Sequence, residues 1–190
     1  LLDWTIKRVK DPEKKVLFRF ADEDIALTYA EFGRNVNRVS NMLVDLGIKK
    51  GDHVAIFLPN CVEYAYLFHS LGKCGAVMVP IVQFVRGESL KYIINHSDSK
   101  YLITSFDFFS DKISSVIDSL GKLRSVLFID KIADIKSIQS VLFSNCKNYP
   151  SEFEPKNEVL GTDLQGIWYT SGTTGLPKGV VVLNKAYIYR

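Results

Sequence analysis

Val54-Ala55-Ile56-Phe57-Leu58 is an unbroken apolar run of strand length, set between the polar turn Lys49-Lys50-Gly51-Asp52 and the stop Pro59-Asn60. A run that is apolar at every position, not at alternate ones, predicts a strand covered on both faces, as in a parallel sheet. The following residues predict a helix from about Val62 to Cys74. After Gly75 comes a second buried strand, Ala76 to Val79, stopped by Pro80.

The alternation continues outward in both directions. Downstream, a helix near Glu88 to His96 leads to a strand at Tyr101 to Thr104, and a helix near Phe109 to Leu120 leads to a strand at Ser125 to Ile129. Upstream, Leu17 to Phe20 and Ile25 to Leu27 read as short strands around a polar turn. Thr28 then opens a helix, with Glu31 three positions on as the partner in a capping box. Phe32, Val36, Val39, Leu43 and Leu46 follow at helical spacing, and Gly47 closes the helix. Strands alternating with helices predict an α/β fold, a mostly parallel sheet flanked by helices with right-handed crossovers.

Beyond Lys131 the pattern weakens. A short helix is expected near Ile135 to Phe143, and the stretch from Asn145 to Gly161, rich in Asn, Pro and charge, reads as a surface connection. Two further strands, Gly166 to Thr170 and Gly179 to Leu183, enclose a loop. The chain thus divides into an α/β body over about 1–144, a connection over about 145–164 and a strand–loop–strand element over 165–183.

Composition narrows the functional classes. Apolar residues make up 47% and charged residues 24% of 190, an ordinary globular balance that argues against disorder. The net charge of +3 is dispersed, with no basic block to mark a nucleic-acid footprint. No apolar stretch reaches transmembrane length, and Leu1-Leu2-Asp3-Trp4 has no secretory-signal pattern. Cys61, Cys74 and Cys146 are odd in number and without metal-ligand spacing, which fits a reduced, cytoplasmic setting. His53, His69 and His96 are scattered and suggest no metal site.

The loop Thr170-Ser171-Gly172-Thr173-Thr174-Gly175-Leu176-Pro177-Lys178-Gly179 carries the chemistry. Phosphate oxygens are held by closely approaching backbone N–H groups, by hydroxyls and by a cation. Gly172 and Gly175 permit the approach, Thr170, Ser171, Thr173 and Thr174 supply hydroxyls, and Lys178 supplies charge. Turns are made of the same residue types, but hairpin loops usually need only about 2–5 residues. A plain turn would also have no use for four hydroxyls and a lysine. The loop is not a Walker motif, because Pro177 stands where its second Gly should be and Gly179 where its Ser or Thr should be. No G-x-G-x-x-G occurs either.

Tyr169 to Val180 resembles the signature loop of the adenylate-forming superfamily, which includes acyl- and aryl-CoA synthetases, luciferases and peptide-synthetase adenylation domains. Upstream, Leu27-Thr28-Tyr29-Ala30-Glu31-Phe32, Gly51-Asp52-His53-Val54-Ala55-Ile56, Leu58-Pro59-Asn60-Cys61 and Leu71 to Pro80 are similar to family elements that shape the fold. The resemblance implies a partial amino-terminal domain of an enzyme that forms an acyl-adenylate from a carboxylic acid and Mg-ATP, then a thioester with coenzyme A. Thr170, Ser171, Gly172, Thr173, Thr174, Gly175 and Lys178 would wrap the β- and γ-phosphates. Family members often carry His where this chain has Asn184.

The family's acyl pocket, magnesium-binding Glu, ribose-binding Asp and catalytic Lys, the last in a small carboxy-terminal domain, would all lie beyond Arg190. No catalytic or metal-ligating residue is therefore assigned here, and these 190 residues are not expected to turn over alone. Self-association through uncovered apolar surface is expected. The Val39 to Leu58 stretch, Arg86-Gly87-Glu88 and the last residues look most like fatty acyl or carnitine-type CoA ligases, with a medium- or long-chain acid as the expected substrate class. A peptide-synthetase adenylation domain and a non-catalytic ATP-binding protein are the rival readings.

Overall fold

Thr28 is the N-cap of the longest helix, and its side chain and that of Glu31 cap each other's backbone N–H, the reciprocal box expected from the sequence. The computed structural model in which this is seen describes residues 2–21, 24–136, 138–171 and 175–187. The described chain runs α1 (Leu2–Ile6), β1 (Val16–Phe20), β2 (Ile25–Thr28), α2 (Tyr29–Asp45), β3 (His53–Phe57), α3 (Val62–Cys74) and β4 (Val77–Pro80). It continues through α4 (Gly87–His96), β5 (Tyr101–Thr104), β6 (Ser125–Phe128), β7 (Gln139–Leu142), β8 (Leu164–Thr170) and β9 (Lys178–Leu183).

β1 and β2 form a separate antiparallel pair, and the other strands form one seven-stranded sheet in the order β7-β6-β5-β3-β4-β8-β9. Every neighbour pair in that sheet is parallel except β8 with β9. The unbroken apolar runs are explained by burial on both faces. Val54 and Ile56 face a core built with α2 and α3, while Ala55 and Phe57 face a second core built with α4. The same alternation assigns Ile103 and Leu127 to the first core, and Leu102, Val126 and Phe128 to the second.

Two sequence expectations fail. The helix expected over Phe109 to Leu120 is broken into a single α-turn at Phe106–Phe108, a π-helix at Phe109–Ile113 and a 3-10 turn at Ile117–Ser119. Ser114 and Ser119 turn their hydroxyls back onto the carbonyls of Ser110 and Val116, and such back-bonding together with β-branched Val116 and Ile117 weakens a regular helix. The helix expected near Ile135 to Phe143 is instead strand β7 followed by a 3-10 segment, Phe143–Asn148. Its apolar spacing suits either state, and parallel pairing of Gln139 to Leu142 with β6 decides for the strand.

The connection from β7 to β8 recrosses the sheet over the first core, with Phe143, Tyr149 and Phe153 packed against it. α2 holds it there. Asn37 Nδ2 donates to Ser151 O at 2.7 Å, and Asn41 Nδ2 donates to Pro150 O at 3.0 Å and Glu152 O at 2.7 Å. This return places β8 beside β4, with Gly166 opposite Met78.

Candidate phosphate-binding site

β3 is followed in space by β4 on one side and by β5 on the other, so the chain reverses direction across the sheet at this point. In open α/β sheets ligands bind outside the carboxyl ends of the strands near such a reversal. β8 runs parallel to β4, so its carboxyl end, Thr170, emerges on that same edge.

The hairpin stem is regular. Thr170 pairs with Lys178, Tyr169 with Gly179, Trp168 with Val180 and Ile167 with Val181. Directly paired residues project from the same face, so Thr170 and Lys178 stand side by side at the mouth of the loop. Thr170, Ser171, Gly175 and Lys178 are exposed, and Gly175 has φ +120°. Among the described residues Lys178 has no carboxylate within ion-pair distance, which leaves its charge available to a ligand. Of the seven residues expected to bind phosphate, Thr170 and Lys178 are thus brought together, with Ser171 next along the chain and Gly175 exposed in the same loop. Gly172, Thr173 and Thr174 lie outside the described residues.

Pro80 shapes the approach to the stem. The N–H groups of Val77 and Ile81 bond β3, so residue 80 points its nitrogen toward β8, and a proline nitrogen has no hydrogen to donate. The recorded β4–β8 pairing accordingly lies at Met78 and Gly166, and the stem beyond it is held by β9. Gly166 allows this close approach, because an added Cβ would lie 2.8 Å from Met78 O and would force the strands apart.

Side chains around the stem include two that sequence reasoning did not single out as a pair. Tyr169 Oη lies 2.7 Å from His96 Nδ1, and Tyr92 stacks on the His96 ring at 4.9 Å between centroids. Burial, with smaller effects from Tyr92 and Asp98, pushes the Tyr169 phenol up to about 12, so it stays protonated. His96 and Tyr169 are 73 positions apart, and no local pattern in the sequence links them. Asn184, where the resemblance expects His, donates through Nδ2 to Leu160 O at 3.2 Å and so fastens the end of β9 to the connection.

Among the described residues there is no group of three or more His, Cys, Asp or Glu side chains that could hold a metal ion. Nor is any helix there long and apolar enough to cross a membrane. A cavity of about 490 Å³, lined in part by Phe68, His69, Leu160 and Gln165, lies at the amino end of β8. Five residues of strand, about 17 Å, separate Gln165 from Thr170, so this cavity is not part of the loop site.

Comparison with known proteins agrees with this architecture. The chain is 33% identical over 182 residues to crotonobetaine/carnitine–CoA ligase of Proteus mirabilis, covering 94% of this chain and 35% of that protein. It is 36% identical over 160 residues to the long-chain-fatty-acid–CoA ligase FadD13 of Mycobacterium tuberculosis, covering 83% of this chain and 30% of the relative. It therefore spans about a third of the length of these relatives.

Among solved structures, the inhibitor-bound N-terminal domain of FACL13 from Mycobacterium tuberculosis superposes with a TM-score of 0.80 at 30% identity, over 97% of this chain and 44% of that one. The anthranilate CoA ligase AuaEII in complex with anthranoyl-AMP shares the fold, with a TM-score of 0.85 at 24% identity over 98% of this chain and 35% of that one. Residues 6–190 match the AMP-binding enzyme family, and the chain belongs to it.

Proposed function

We propose that this chain supplies the phosphate-holding part of an ATP-dependent acid–thiol ligase, which joins a carboxylic acid to coenzyme A through an acyl-adenylate. The observation that carries the reading is the pairing of Thr170 with Lys178 at the carboxyl end of β8, with the lysine charge unpaired among the described residues.

In the first step a carboxylate oxygen attacks the α-phosphorus of ATP, and the bond to the bridging oxygen of the leaving pyrophosphate breaks. Negative charge grows on that pyrophosphate. Lys178 and the hydroxyls of Thr170 and Ser171 are suited to hold it, and Gly172, Thr173 and Thr174 complete the same loop in the sequence. Such donors act by charge stabilisation and by holding the phosphates in line. In the second step the coenzyme A thiol attacks the acyl carbon and AMP leaves. Magnesium enters with the nucleotide. Among the described residues no cluster of three or more His, Cys, Asp or Glu side chains would hold it.

The relatives named above point to an acid of the fatty acyl or carnitine type. Three unpaired cysteines suit a reduced, cytoplasmic setting. The test is Lys178→Ala in the intact enzyme, assayed by acid-dependent exchange of pyrophosphate into ATP. Loss of a preorganised donor of this kind lowers turnover by about 10²–10³-fold. Exchange at the parent rate would overturn the reading.

A further inference from the structure

We propose that Tyr169 and His96 form a clamp that positions the phosphate loop, and so act as positioning residues for the nucleotide. The proposal rests on the reading of the loop as the triphosphate site.

The stem that carries the loop lies along β4 and packs Ile167 and Tyr169 against the second core, but its hydrogen-bonded ladder to β4 is short. Its strand partner is β9, whose residues Val180 and Val181 are exposed, and its pairing with β4 is recorded only at Met78 and Gly166. Among the described residues, the contact between Tyr169 Oη and His96 Nδ1 at 2.7 Å is the one side-chain hydrogen bond joining residues 167–180 to another element. Its place is one residue before Thr170.

Tyr169 also holds both strands of the stem. Its ring lies over Gly179, the residue paired with it. A Cβ added at 179 would come within 3.3 Å of Tyr169 Cζ and 2.8 Å of Ile167 Cγ2, so the ring fills the space that a side chain on β9 would take. Gly179 is next to Lys178. The orientation of one ring therefore sets the position of the two residues, Thr170 and Lys178, that flank the mouth of the loop.

The other end of the clamp is an exposed side chain on an anchored helix. His96 ends α4, which is anchored in the second core by buried Leu90, Ile93 and Ile94. The imidazole is stacked on Tyr92 at 4.9 Å and 27°, and meets Tyr169 edge-on at 82°. The phenol stays protonated and so keeps a hydrogen to donate to Nδ1. A displacement of about 1 Å at a phosphate-holding group is enough to lower a rate by about 10²-fold, so a tie at this point has catalytic weight although it touches no substrate.

The experiment uses the intact enzyme with Tyr169→Phe, His96→Phe, the double variant and His96→Gln, whose amide can still meet the phenol. Tyr169→Phe and His96→Phe are each expected to raise KM for MgATP by about three- to tenfold while KM for the acid stays put, losses of the size that follow from one hydrogen bond. The double variant should be no worse than either single change, because both remove the same contact, and His96→Gln should restore most of the loss. If KM for MgATP is unchanged in Tyr169→Phe while Lys178→Ala still abolishes exchange, the clamp is wrong and the loop assignment stands. If the variants only lower the melting temperature, the pair is packing and the proposal fails. If Lys178→Ala is also without effect, the loop assignment fails and the clamp with it.

Discussion

Replacing Gly166 by Ala tests whether the place of the loop is set by the close approach of β8 to β4. The added methyl would lie 2.8 Å from Met78 O and 3.2 Å from Trp168 Nε1. The nearer atom is backbone, so no rotamer change relieves it, and the strands must part by about 0.5 Å to reach an ordinary carbon–oxygen contact. Overpacking of this sort costs about 1–3 kcal/mol. The smaller entropy of an unfolded chain with Ala in place of Gly offsets about 0.4–1 kcal/mol of it. The net loss is then about 1–2 kcal/mol, and for a chain of this size each kcal/mol lowers the melting temperature by about 2–4 °C. Scanning calorimetry should find a fall of about 2–8 °C. Gly72→Ala is the matched control: it lies inside α3 with nothing within 4 Å of an added Cβ. It should stabilise by about 0.5–1 kcal/mol, as Ala does over Gly in a helix interior. A Gly166→Ala protein melting within about 1 °C of the parent, beside a control that rises, would show that β8 is not held as tightly as described.

Thr28→Ala removes the side-chain half of the capping box and should cost about 1 kcal/mol near neutral pH. The Thr28 backbone N–H and then its hydroxyl hold the Glu31 carboxyl below its ordinary value, so the carboxylate's share of the box is present above about pH 4.3 and fades as pH falls through the depressed value, while the bond from the Glu31 N–H to Thr28 Oγ does not titrate. In urea melts the gap between the two proteins should narrow in acid without closing, and a gap that widens would contradict the box. Burial pushes the Cys61 and Cys74 thiols up to about 12, which leaves only about one thiolate in ten thousand at pH 8. Neither should react with Ellman's reagent in minutes until the chain is unfolded, and prompt reaction of two native thiols would count against their described burial. Leu176, Val180 and Val181 are exposed on or beside edge strand β9. Such an edge pairs readily with another chain, so the 190-residue chain should self-associate in light scattering, and a monomer at all concentrations would refute this.

Where the sequence was legible, one residue type settled one local question. Val62–Cys74 and Tyr101–Thr104 have the bounds their patterns suggested, and the Thr28–Glu31 box needs only residues three apart. Where it was not, the deciding force came from elsewhere in the chain. Ile135, Ile138 and Leu142 satisfy a helical spacing, yet the parallel edge of β6 recruits Gln139 to Leu142 as a strand. The segment after Phe109 holds a π-turn in which Phe109, Lys112 and Ile113 are buried, and this i, i+3, i+4 set suits an α-helix equally, so their spacing does not tell the two apart. The loop's sequence was enough to point to the family that residues 6–190 match. Its place on the carboxyl edge of the sheet was not legible, because that depends on the chain recrossing the sheet between β7 and β8. His96 was passed over for a related reason: its partner is a strand that joins α4 only in three dimensions.

The same topology accounts for the composition of the loop. In a strand–loop–helix phosphate site, the free N–H groups and the dipole of the following helix stabilise the anion. Here β8 leads into an antiparallel partner, β9, so no helix N-terminus is aimed at the site by this connection. The β-strand on the far side offers little net dipole, since strand dipoles are small and alternate. On the proposed reading, stabilisation would come from what the loop itself carries, namely the hydroxyls of Thr170, Ser171, Thr173 and Thr174 and the charge of Lys178. A hairpin is also a weaker support than a helix packed on a sheet, which makes ties such as Gly166 against Met78 and Tyr169 against His96 necessary to hold the mouth of the loop still. Loosening either tie should therefore harm nucleotide binding more than it harms the fold, whereas removing Lys178 should harm binding and leave the fold alone.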